Sequence, residues 1–300
     1  PTLVFNVPLL QLAARDGVTV MLDGEGGDEL FGCSPYLVAD LLRRGRRRRA
    51  LELVRRHPDA GPAPSPRLVQ WLVREYGVKG AVPYAVHRAA RVLRPAGHYA
   101  PDWLTPASAK LYVEGRGEWM WKRAAGPRWW AYLSDVLTVG RECAGTHDFL
   151  RRRAQLAGLE SRHPWLDELD LVELVLRLPP HLAFDAGLNR PFVRRALAGL
   201  VPDAIRLRAD KSDFSPLLIG AIASYDRGLV NELLGGRHVE VRAYTRRDAL
   251  DALLARAPVR QNITWAWQVW RLATTECWLR AQSDPELPRR LLERMAARMS

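Results

Sequence analysis

The stretch Val18-Thr19-Val20-Met21-Leu22-Asp23-Gly24-Glu25-Gly26-Gly27-Asp28-Glu29-Leu30-Phe31-Gly32 constrains this chain more than any other. Apolar and β-branched residues lead straight into a loop of glycines and carboxylates. Apolar positions resume at Leu30-Phe31 and Tyr36-Leu37-Val38. That order predicts a buried strand, a tight loop and a helix. In open parallel sheets, ligands bind beyond the carboxyl ends of the strands, where such a loop lies. Its glycines leave backbone N–H groups accessible to an anion. Asp23, Glu25, Asp28 and Glu29 would repel a bare phosphate, so the loop suits a phosphate that shares a hard cation such as Mg²⁺ with carboxylates. The plainer reading gives Asp28 and Glu29 to the cap and dipole of the following helix.

Residues 7–16 read as a helix with Pro8 near its first turn and Gly17 as its stop. Leu3-Val4-Phe5 is the only hint of a strand before it. A helix feeding a fully apolar strand is the second half of a βαβ unit. The nucleotide-binding sheet is therefore expected to be incomplete here. The chain also opens on Pro1 rather than methionine, as expected for the later part of a longer polypeptide.

Composition narrows the class without choosing a function. Hydrophobic content of 48% and charged content of 26% are ordinary for a globular protein of 300 residues. No apolar run approaches the ~20 residues of a membrane span, and the N-terminus lacks the pattern of a secretion signal. Three isolated cysteines form neither a zinc pattern nor a disulfide framework, so a reducing cytoplasm is expected. The net charge of +12 favours anionic partners such as nucleotides, pyrophosphate, nucleic acid or an acidic protein. Arginines flank apolar positions from Arg43 to Arg56, which reads as a basic, partly amphipathic helix pair. No aromatic platform for bases is interleaved there, so a solvated face is a plainer reading than a nucleic-acid patch.

Four prolines in residues 57–66 mark a loop or internal linker. Trp119, Trp121, Trp129 and Trp130 are expected to pack in a core rather than to line an apolar substrate pocket. In residues 159–167, Leu-Glu-Ser-Arg-His-Pro-Trp-Leu-Asp, Asp167 is expected to N-cap a helix over 168–178. Glu160 and Arg162 then lie in a tight connector. His163, standing alone before a proline, reads as structural rather than as a general base. Residues 202–216 form a charged loop with one lysine, Lys211, in a chain dominated by arginine. Either Lys211 serves point-charge chemistry or it pairs with Asp210 or Asp213.

Taken in order, these stretches resemble the C-terminal synthetase domain of the asparagine synthetase family. Gly24 to Gly32 matches its G-[ED]-G-x-D-E-[LVI]-F-[GA] loop, and Gly158 to Asp167 matches G-L-E-x-R-x-P-[FW]-L-D. Arg208, Lys211 and Phe214 match its Arg–Lys–Phe segment. Gly187, Arg190 and Arg194 fit the basic segment between, where the first basic residue is usually lysine.

The resemblance implies an α/β fold like that of adenine-nucleotide hydrolases, with an incomplete parallel sheet at the N-terminus and a mainly α-helical region after it. Residues 1–40 would be the remnant of the nucleotide layer and 41–300 the helical part. It also implies ATP and Mg²⁺, an acyl-adenylate made from a carboxylate, and attack on it by an amine or by glutamine-derived ammonia. Lys211 would then be the fixed cation beside the activated acyl phosphate. Glu25 would take the proton from the amine. Asp28 would lie on the metal and pyrophosphate side. Asp23, Gly24, Gly26, Gly27, Glu160, Arg162 and Arg208 would complete the nucleotide-side wall.

The chain also departs from the family. It lacks the S-G-G-x-D-S pyrophosphate loop and the glutaminase domain with its cysteine nucleophile. Cys33-Ser34-Pro35 extends the first motif before Tyr36. Asp23 stands where asparagine-forming members often have serine, and Arg151 where many have aspartate. On these grounds residues 1–300 alone are expected to be inactive. The carboxylate substrate is expected to be aspartate or a peptide side chain. The rival readings are a macrolactam-forming cyclase, like the lasso-peptide relatives, and a non-catalytic partner-binding homologue.

Overall fold

A computed structural model of the chain describes residues 2–93, 100–115, 119–139, 143–208, 213–225, 227–236, 239–255 and 262–299. The first elements are α1 (Thr2–Arg15), β1 (Val20–Leu22), α2 (Gly27–Phe31), α3 (Leu37–Arg43), α4 (Arg47–Arg55) and α5 (Pro66–Leu72). Next come α6 (Tyr84–Val92), α7 (Pro106–Gly115), α8 (Arg128–Ser134), α9 (Cys143–Leu156) and β2 (Glu160–Arg162). They are followed by α10 (Pro164–Asp167), α11 (Leu169–Arg177), α12 (Pro191–Ala196) and α13 (Asp203–Arg206). The last are α14 (Ser215–Gly220), α15 (Arg227–Gly235), α16 (Arg247–Ala255), α17 (Ile263–Ser283) and α18 (Leu287–Met299). Two compact units result: residues 3–90 with 119–211, and residues 1–2, 91–118 and 212–300.

In the first unit, β1 and β2 form a two-stranded parallel sheet with Val20, Met21 and Leu22 opposite Glu160, Ser161 and Arg162. The hint of a strand at Leu3-Val4-Phe5 is corrected: these residues belong to α1, which starts at Thr2. Pro8 therefore lies inside α1 rather than in its first turn. Gly17, at φ +78°, ends the helix as expected.

The strand is buried on one face only, which corrects the expectation of a fully buried one. Met21 packs with Leu10, Ala154 and Leu159, whereas Val20 and Leu22 are exposed. Among the described residues, no second layer covers their side of the sheet. The described architecture is thus mainly helical with a small parallel sheet.

The helical core of this unit gathers Val38, Ala50, Leu53, Val54, Leu72 and Phe184. Residues Val73–Lys79 continue α5 as wide π-type turns. They lie so close to α3 that a Cβ on Gly80 would meet Tyr36 at 2.8 Å and Ala39 at 2.9 Å. The Tyr36 ring is buried among Tyr76, Trp119, Trp121 and Tyr132, with centroids 4.5–5.5 Å away. Trp129 and Trp130 pair with each other at 5.6 Å, so the four tryptophans do not form one cluster. The buried Asp40 carboxylate accepts the backbone N–H groups of Arg128 and Trp129 at 2.9 and 3.0 Å, fixing the start of α8 on α3.

The second unit is built on α17, N-capped by the Asn262 side chain. Trp265, Val269 and Leu272 on α17 pack with Leu234, Leu250 and Leu253, and Trp267 and Trp270 flank that core. Glu276 is fully buried and accepts the backbone N–H groups of Glu240 and Val241 at 3.1 and 2.8 Å.

Candidate functional site

The two principal motifs meet at the carboxyl ends of β1 and β2. Backbone pairing continues one residue beyond β1, where Asp23 N–H donates to the Arg162 carbonyl at 3.2 Å. The chain then turns, and Glu25 N–H donates to Asp23 Oδ1 at 3.0 Å. The same Oδ1 lies 2.8 Å from His163 Nδ1. A carboxylate only accepts, so the imidazole carries its proton on Nδ1. His163 is 1% exposed. That burial supports the structural reading of this residue, whose ring holds the two loops together.

Close packing seats the glycine loop. Gly26 has φ +82°, and a Cβ there would meet the Leu166 side chain at 2.3 Å. Leu166 and Trp165 belong to the second motif, and Trp165 packs edge-on against Phe31 at 5.1 Å. Phe192 of α12 meets the same phenyl ring at 5.9 Å. The loop, α10 and α12 are thereby fixed to one another.

The carboxylates divide by environment. Glu25 is half-buried, and its carboxyl is pushed above the ordinary range, first by burial and then by the charges of Asp23 and Glu29. Asp28 is exposed and pairs with Arg190 at 3.0 Å. Arg190 holds a non-glycine φ of +53°, a costly conformation at the head of α12. Arg194 is bound up in backbone contacts: Nε donates to the Asn189 carbonyl at 2.8 Å and another nitrogen to that of Arg206.

The expected helix cap at Asp167 is corrected. Its Oδ2 accepts His163 N–H at 2.8 Å, four residues back, and its other oxygen pairs with Arg151 at 3.3 Å. Helix α11 starts after Glu168 without a side-chain cap. Arg151 is thus the partner of Asp167. Glu160 and Arg162 stand in a strand rather than a connector and bind each other at 2.8 Å, which holds the Glu160 carboxyl below its ordinary range. With Arg151, Asp167 and Glu168 they line a cavity of about 730 Å³.

The structure therefore brings Asp23, Gly24, Glu25, Gly26, Gly27 and Asp28 together with the second motif. Arg208 is exposed at the end of a described segment. Lys211 lies outside the described residues. Among the described residues no group of three His, Cys, Asp or Glu side chains could hold a metal. A Mg²⁺ at Asp28, shared with a bound phosphate, would compete with Arg190, which lies 3.0 Å from Asp28 Oδ1. No helix among them is long and apolar enough to cross a membrane.

Sequence reasoning missed β2 and the Asp23–His163 tie. Leu159, Ser161 and His163 are buried in alternation with exposed Glu160 and Arg162. Two of those three inward positions are polar, so apolar alternation carried no strand signal. A second unforeseen grouping is Cys33, His57 and Asp59. Cys33 Sγ is 3.7 Å from His57 Nε2, and His57 Nδ1 accepts Asp59 N–H at 3.2 Å. That acceptance places the ring proton on Nε2, facing the sulfur. Burial pushes the Cys33 thiol up to about 12. The thiol stays protonated at neutral pH and is no nucleophile, whatever its likeness to a Cys–His–Asp triad.

The carboxylate-and-glycine loop is thus packed against the end of a second strand, and the two motifs form one site. The family model of asparagine synthase matches residues 3–280, and the chain belongs to that family. At the level of the family it is an ATP-dependent amide-bond-forming ligase. Neither a curated protein nor a solved structure matches it.

Proposed function

We propose that the chain activates a carboxylate as its acyl-adenylate and transfers the acyl group to an amine. The observation that carries this reading is the pairing of β1 with β2, which joins the Gly24–Gly32 loop to the Gly158–Asp167 motif in one site. In the first step a carboxylate oxygen bonds to the α-phosphorus of ATP and pyrophosphate leaves. In the second the amine nitrogen bonds to the acyl carbon and AMP leaves, while the ammonium proton passes to Glu25. A carboxylate whose proton affinity is raised by burial and like charges is suited to that transfer. Lys211 enters by motif match as the cation beside the acyl phosphate.

The replacements Asp23 and Arg151 each have a partner inside the site, His163 and Asp167. These pairings support a branch whose substrates differ from those of asparagine-forming relatives, including a peptide side chain as carboxylate and a peptide amine as nucleophile. Localisation in the cytoplasm, where ATP is supplied, is part of the same proposal. Because residues 1–300 contain no S-G-G-x-D-S segment, we propose that they need a further segment for turnover.

The test is exchange of labelled pyrophosphate into ATP by the full-length protein, with aspartate or an acidic peptide as carboxylate. Lys211→Ala should lose exchange. Glu25→Gln should keep exchange and lose amide product. Full amide formation by both variants would overturn the reading.

A further inference from the structure

We infer that the basic face of α3 and α4 is a docking groove for an acidic peptide segment that carries apolar anchors. Arg46, Arg47, Arg48 and Arg49 are all exposed. Among the described residues neither these four nor Arg44 forms an ion pair; only Arg43 does at this end, with Asp40 at 3.8 Å. The run therefore keeps a net positive charge that no ion pair of Arg44 to Arg49 among the described residues neutralises, and it attracts an anionic partner.

Beside the run lies a groove of about 700 Å³. Buried Leu53, half-buried Leu37 and Leu41, and Pro180 give it an apolar floor, and the exposed Arg46 and Arg49 border it. Glu52 is the one acidic side chain on its lining. Arg56 is committed elsewhere in part, donating to the Phe184 carbonyl at 2.9 Å. An apolar floor edged by cations recognises alternating aliphatic and carboxylate side chains.

Two other anionic partners fit less well. A membrane surface needs an exposed apolar helix face, whereas Ala50, Leu53 and Val54 of α4 are buried and Leu51 alone is exposed. A nucleic acid gains nothing from aliphatic floor residues, and no Trp, Tyr or Phe lines the groove for base stacking. This inference does not rest on the ligase reading, since none of these residues belongs to the proposed site.

The experiment is fluorescence anisotropy on the full chain with three labelled probes of equal charge. They are a peptide alternating glutamate and leucine, the same peptide with serine for leucine, and an oligothymidylate. The Glu/Leu peptide should bind at least about tenfold more tightly than either other probe, a difference of about 1.4 kcal/mol. R46E/R49E should lose that binding with an unchanged circular dichroism spectrum and melting temperature. R74E/R88E, the same charge change at exposed arginines elsewhere in the unit, should retain it. Equal binding of the Glu/Ser peptide, tighter binding of the oligothymidylate, or no loss in R46E/R49E would each overturn the inference.

Discussion

His163 Nδ1 lies 2.8 Å from Asp23 Oδ1, joining two motifs that are 140 residues apart in sequence. The ring is buried, and the carboxylate it holds also accepts the N–H of Glu25. One imidazole thus fixes the end of β1, the end of β2 and the loop between Asp23 and Gly27.

His163→Ala should therefore act on both stability and turnover. Removing the ring takes one of two donors from Asp23, which keeps the Glu25 N–H, and opens space under the loop. A loss of about 1–3 kcal/mol in urea unfolding is expected, with a fall in amide formation. Unchanged stability would show that the strand ends are held by other contacts.

Glu25→Gln should move stability and activity in opposite directions. The folded state raises the carboxyl above its unfolded value, so the folded state binds the proton more tightly. Stability then falls as pH rises through that window, and ionised Glu25 is destabilising at neutral pH. The neutral amide should raise the melting temperature at pH 7, and amide formation should drop by about 10²–10⁴ if Glu25 is the base. A lower melting temperature would contradict this account of its environment.

Gly26→Ala should cost stability through two effects at one position. The φ of +82° is adverse for any residue with a Cβ, by about 1–2 kcal/mol. The added methyl also meets Leu166, which must shift. The variant should melt lower than wild type, and G26A/L166A should recover the clash but not the backbone term. Melting curves of the two variants separate them.

His57 should impose an acid limit on stability. It is buried against Tyr76, with ring centroids 5.4 Å apart, and burial lowers its proton affinity below the ordinary imidazole value near 6.5. The unfolded chain takes up a proton that the folded one resists. Stability is therefore complete above about pH 6.5 and is lost as pH falls through it. In His57→Phe the slope of melting temperature against pH between about 6.5 and 5 should flatten. An unaltered slope would assign the acid sensitivity to other groups.

The local sequence carried much of this protein. The apolar run into Asp23, the stop at Gly17 and the glycine-rich turn are all set by near neighbours in the chain, and each lies where it was expected. Family membership was legible in the same way, because the motifs are contiguous residues of fixed chemistry. Element boundaries at Pro8 and Asp167 were not. A proline was accommodated within α1, and an expected helix cap was diverted to the backbone of His163 and to Arg151.

Only tertiary structure decided that residues 160–162 are a strand, because a parallel partner is defined by backbone hydrogen bonds to Val20–Leu22 and not by any apolar period of its own. It alone decided that His163 serves Asp23, that Arg190 serves Asp28 and that burial raises the Cys33 thiol. The physical reason is common to all of them. Hydrophobic periodicity and turn chemistry act over a few residues, whereas a side chain's proton affinity and partner depend on which distant segment folding places within about 3 Å of it.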